Sequence, residues 1–223
     1  MGAVRRWVRD RGLLLANLGL FAVFFAGMVI SGVQVYNSDQ LEHGQAAVSL
    51  AGYLTSGDFV ESTFENWESE FLQMGMYVVL TAFLFQRGSS ESKSIDEHSP
   101  QDEDPRYAAD KPDAPWAVRR GGWVLKLYEN SLSIMFFTLF ALSLVLHALG
   151  GASAYSEEEI LHGGQAVSVW AYLGTSQFWF ESMQNWQSEF LAIAVMVGAS
   201  VYLRQRGSAE SKPVAAPHHV TGT

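Results

Sequence analysis

Glu70 and Glu189 stand 119 residues apart at the head of two apolar runs, and each follows an asparagine by four residues, Asn66 and Asn185. Gln73 continues the first set, and Tyr77 and Thr81 extend it, at spacings that place all five on one helix face. Two carboxylates facing each other at the edge of a membrane repel, so such a pair shares a proton or holds a cation between them. The same glutamates also suit a plainer role: near a helix start, at the water interface, a carboxylate complements the positive end of the helix dipole. The two asparagines fit interhelical hydrogen bonding as well as ligand binding. His147 is placed near the outer end of another apolar run, at a depth close to Glu189, where an imidazole–carboxylate contact would respond to protons. A backbone carbonyl is the alternative partner for that ring. His43 and His162, each followed by glycine, occupy twin positions. With two carboxylates they would suit zinc or another divalent ion, and otherwise they serve a turn or a helix start.

These side chains need a scaffold, and the distribution of apolar residues supplies one. Residues 13–33 form an almost unbroken apolar run of 21 residues, about 30 Å as a helix and so the thickness of a bilayer's hydrocarbon core. Residues 132–149 form a second such run, preceded by Trp123, Lys126 and Tyr128, which favour a membrane interface. The runs 71–85 and 190–203 are shorter, and to span they must borrow polar turns from 66–70 and 185–189. The first run lacks a small-residue cleavage site and reads as a retained span. Gly27 and Ser31 on it form a small-xxx-small pair suited to close helix packing.

Composition limits the chemistry further. Among 223 residues there is no cysteine, which excludes disulfides, thiolate metal sites, iron–sulfur clusters and thiol catalysis. A net charge of −9 excludes nucleic acid as a partner. There is no nucleophile elbow, P-loop or dinucleotide fingerprint, so no enzyme and no cofactor is expected. All 14 basic residues fall in the N-terminal segment, in 87–126 and after residue 203, whereas 34–66 and 151–185 hold none. The positive-inside rule then puts both termini and the central linker in the cytoplasm, with a strongly acidic face outside.

The chain repeats itself. Residues 43–93 match 162–212 at 23 of 51 positions without a gap. The reading is a first two-span repeat over 1–88, a disordered acidic linker over 89–115, a second repeat over 116–212 and a disordered tail over 213–223. Because each repeat enters and leaves on one side, the two are parallel. Mildly amphipathic stretches at 46–54 and 166–173 predict short interfacial helices in the outer loops.

The pattern H-G … Y-L … F … N-W-x-S-E-F-L … Q-R-G-S-x-E-S-K, present from His43 to Lys93 and again from His162 to Lys212, resembles a family of bacterial integral membrane proteins of unknown function built from duplicated two-span hairpins. The resemblance implies membrane integration and carries no activity. The expected fold is all-α: a four-helix membrane bundle of two parallel helical-hairpin repeats, multi-pass in the inner (plasma) membrane. Its expected partners are the lipid bilayer and either a second copy of the chain or another membrane protein. The expected role is a structural or accessory membrane component. The alternative is a small proton- or cation-conducting protein using Glu70 and Glu189.

Overall fold

The computed structural model describes residues 2–222. Those residues are all-helical, with no strand. Four long helices dominate: α2 (Gly12–Glu42) and α7 (Ser131–Leu161) have 31 residues each, and α4 (Gly57–Phe83) and α9 (Ser176–Tyr202) have 27 each. Short helices fill the rest: α1 (Ala3–Asp10), α3 (Leu50–Tyr53), α5 (Trp116–Arg120), α6 (Gly122–Glu129) and α8 (Val169–Tyr172). Adding 119 to the bounds of α2, α3 and α4 gives the bounds of α7, α8 and α9. Short helices therefore form within the mildly amphipathic stretches 46–54 and 166–173. The two shorter apolar runs lie in helices that start well before them, taking in 66–70 and 185–189.

Local chemistry at matched positions explains this agreement. Gly44 and Gly163 take positive φ (72° and 82°) just past α2 and α7, a conformation that ends a helix cheaply only without a Cβ. Asn37 closes the following loop by bonding both the N–H and the C=O of Val48, and Ser156 does the same for Val167. The hydroxyls of Ser56 and Thr175 accept the N–H groups of Phe59 and Phe178, capping α4 and α9.

The chain divides into two compact units, one of residues 2–62 and 148–172, the other of 63–147 and 173–222. In the first, Tyr53 and Tyr172 are buried at matched positions, and their rings pack onto Gly32 and Gly151, where any side chain would clash. The backbones of α4 and α7 also meet here: a Cβ on Gly150 would lie 2.8 Å from Val60 Cγ1. Gly27, the expected packing glycine, faces open space instead, and Ser31 returns its hydroxyl to the Gly27 carbonyl. The close approach is thus made at other glycines.

In the second unit, Ala114, Val118 and Leu125 form a small apolar cluster. Residues 89–115, disordered by composition, carry two 3-10 turns (Pro100–Asp102 and Pro105–Ala108), and Lys93 bonds the Ala82 carbonyl. Residues 213–222 are held by the buried Lys212 ammonium, which donates to the carbonyls of Pro217, His218 and Val220 at 3.4, 3.1 and 2.9 Å. Burial, with Arg204 nearby, pushes that ammonium below the usual lysine range. Composition alone gave no sign of these contacts.

Many of the buried side chains are polar, and many large apolar ones are exposed. The buried set is largely Ser, Thr, Glu, His, Gln and Ala with a few aromatics, while Leu13, Phe24, Leu142 and Val145 are exposed. No described residue of α2 is buried. By length and composition, α2 and α7 could each cross a membrane.

Candidate functional site

The second unit contains a buried carboxylate–imidazole–carboxylate cluster. His147 on α7 and Glu68 on α4 are wholly buried, and Glu181 on α9 is nearly so. The ring Nδ1 lies 2.8 Å from Glu68 Oε2, and Nε2 lies 3.3 Å from Glu181 Oε2. The outer oxygens of both carboxylates are engaged as well. Trp186 Nε1 donates to Glu68 Oε1 at 3.0 Å, and Gln177 Nε2 donates to Glu181 Oε1 at 2.6 Å. Phe178, one turn before Glu181's own turn ends, packs its ring 5.0 Å from the imidazole and shields it. Glu65, half-buried one turn before Glu68, lies within electrostatic reach of His147 and Glu181.

Helical register explains the convergence. Glu181 and Gln177 are four apart on α9, so their side chains meet along one face, and Trp186 follows five residues later. Helix α7 presents Ser143 and His147, both buried and again four apart. Small residues follow at 148 and 152, so the polar stripe of α7 passes directly into a close-packed one.

Proton counting determines what this arrangement does. A neutral imidazole has one N–H, and an ionised carboxylate only accepts. With carboxylate oxygens at both ring nitrogens, the two hydrogen bonds are made together only if the trio holds one extra proton, on the ring or on a carboxyl group. With both bonds made, the trio carries one net negative charge. Thr63 Oγ1 and Ser182 Oγ, on the same two helices as the glutamates, are buried without hydrogen-bond partners.

The residues singled out by sequence fall elsewhere. Glu70 is exposed, and Glu189 is half-buried within electrostatic reach of it, so the two are brought near each other. Gln73 is buried and donates to the Glu189 backbone carbonyl at 2.9 Å rather than to a carboxylate. Asn66 is exposed and Asn185 half-buried. His147 pairs with Glu68 and Glu181, not with Glu189, because α9 turns Glu181 toward α7, and Glu189 lies two turns further on. His43 and His162 do come together, in the first unit, with ring centroids 6.3 Å apart.

Glu68 and Glu181 do not stand out in the sequence because neither has an ionisable counterpart in the other repeat. In the 119-residue register, Glu68 faces Gln187, Glu181 faces Ser62 and His147 faces Met28. The useful signal lies in the opposite place, among ionisable residues that only one repeat carries.

A family model for a domain of unknown function, DUF6766, matches residues 4–223. The chain belongs to the DUF6766 family. No curated protein and no solved structure matches it. For a DUF6766 domain, then, function is to be read from the site itself.

Proposed function

We propose that this DUF6766 chain is a multi-pass integral membrane protein that binds and passes protons through the Glu68–His147–Glu181 cluster. The observation that carries this reading is an imidazole with a carboxylate at each nitrogen, wholly buried on a helix long and apolar enough to span a bilayer. Ionisable groups at membrane depth are costly, about 2.5–3.5 kcal/mol each on insertion scales, and they mark proton and ion pathways. A polar interior beneath an apolar surface supports the membrane environment. In this reading α4 and α9, 27 residues and so about 40 Å long, are the remaining two spans. Two repeats of two spans put both termini and residues 89–115 in the cytoplasm, in the inner membrane. Four spans enclose little, so a second copy completes the path. Relative to the sequence reading, the proton-handling residues move from Glu70 and Glu189 to the buried trio.

The test is acid-driven proton uptake into liposomes holding the purified full chain. Wild type and Glu70→Gln/Glu189→Gln are expected to conduct, and Glu68→Gln/Glu181→Gln is expected to lose at least about tenfold in rate. Equal flux in all three would remove the trio from the path. Wild-type flux no faster than through empty liposomes would return the chain to a structural or accessory role.

A further inference from the structure

The paired histidines of the first unit satisfy a different chemistry. His43 caps the C-terminus of α2, and His162 follows the last residue of α7. Each ring is oriented the same way: His43 Nδ1 lies 3.0 Å from the Asp39 carbonyl, and His162 Nδ1 lies 2.8 Å from the Glu158 carbonyl. A carbonyl only accepts, so Nδ1 carries a proton in both rings, and in the neutral ring Nε2 keeps its lone pair. That is the arrangement found where a protein imidazole ligates a metal through Nε2, with the other nitrogen held by a backbone oxygen.

The two rings are presented to each other. Tyr36 on α2 donates to Glu157 on α7 at 3.2 Å, tying the two helix ends together. Gly44 and Gly163 then turn the chain away, with open space around both. The ring centroids come to 6.3 Å at 69°, a separation that two Nε2–metal bonds of about 2.0–2.1 Å bridge with a small rotation of exposed side chains. The surroundings favour a cation. Both helices point their negative ends here, Asp39, Glu42, Glu158 and Glu159 lie within the last turns, and 34–66 and 151–185 contain no Lys or Arg. Glu159, three residues before His162, shares its helix face and adds to the local negative charge.

We infer that His43 and His162 form an outward-facing site for one divalent transition-metal ion, of the zinc or copper(II) class, through their Nε2 atoms, with water and nearby carboxylates completing the shell. The site is separate from the Glu68–His147–Glu181 cluster and does not depend on its function.

The experiment uses the full-length, untagged chain in detergent, in a His98→Gln/His218→Gln/His219→Gln background that removes the other exposed imidazoles. Zn2+ is titrated by calorimetry, and Cu2+ by electron paramagnetic resonance. One ion per chain, two imidazole nitrogens in the Cu2+ spectrum, and affinity at least about tenfold weaker in either His43→Gln or His162→Gln are expected. Absence of saturable binding up to about millimolar metal, fewer than two nitrogens in the spectrum, or binding unchanged by both substitutions would overturn the site. The nitrogen count is read with both histidines in place, so it does not depend on how well the substituted chains fold.

Discussion

Replacing His147 with leucine tests the buried trio most directly. The substitution keeps the ring's approximate volume and removes both nitrogens, leaving Glu68 and Glu181 facing apolar surface where the imidazole stood. Deleting one member of a buried ionic group costs about 3–5 kcal/mol, because the remaining charge is stranded away from water. Here each carboxylate keeps one neutral donor, the Trp186 indole for Glu68 and the Gln177 amide for Glu181. The expected loss is therefore at the lower end, about 3 kcal/mol. Neutralising the stranded groups should return most of it. Glu68→Gln/His147→Leu/Glu181→Gln is expected to be more stable than His147→Leu alone by about 2 kcal/mol, within the range of coupling measured for contacting residues. The assay is reversible unfolding in mixed micelles, driven by a denaturing detergent and followed by tryptophan fluorescence, with helical circular dichroism as the check on two-state behaviour. A cost below about 1 kcal/mol for His147→Leu, or a triple variant less stable than the single one, would refute the argument that charge stranding dominates this site.

Two further outcomes follow from packing and from charge. Gly150→Ala puts a methyl group against the Glu61 N–H and the Val60 side chain, so it is expected to lower stability by about 1–3 kcal/mol in the same unfolding assay, whereas Gly27→Ala, which meets open space, is expected to be near neutral. The Arg87 guanidinium, 2.9 Å from Asp96, holds that carboxyl below the usual carboxylate range, so the contact's small contribution is present above the ordinary aspartate pKa and lost as pH falls through the lowered one. Carbon-detected NMR of the Asp96 carboxyl is expected to show a lower titration midpoint in wild type than in Arg87→Gln, and equal midpoints would contradict the pairing.

Much of the architecture was legible because it rests on short-range chemistry. The apolar runs and the 119-residue register together predict helices at matched positions, and those helices are present, capped by Ser56 and Thr175 and ended by Gly44 and Gly163. The site was less legible. Glu68 lies between Trp67 and Ser69 in a motif that looks conserved between the repeats, and nothing in its own neighbourhood distinguishes it from the exposed Glu70 two residues on. A helix advances 100° per residue, so two positions separate opposite faces, and only the packing of α4 against its neighbours decides which face is buried.

By itself, the amino-acid order determined that this chain is helical, internally repeated, free of thiol chemistry and supplied with two helices apolar enough for a membrane, because composition and periodicity act locally and add along the chain. Which glutamates meet the one buried histidine was a question of helix rotation and axial offset. The partners of His147 stand 79 residues before it and 34 after it, and no local signal encodes contacts at such separations. Tertiary packing alone turned Glu68 and Glu181 inward and left Glu70 outside, since a buried imidazole needs a hydrogen-bond acceptor at each protonated nitrogen and an exposed carboxylate needs none.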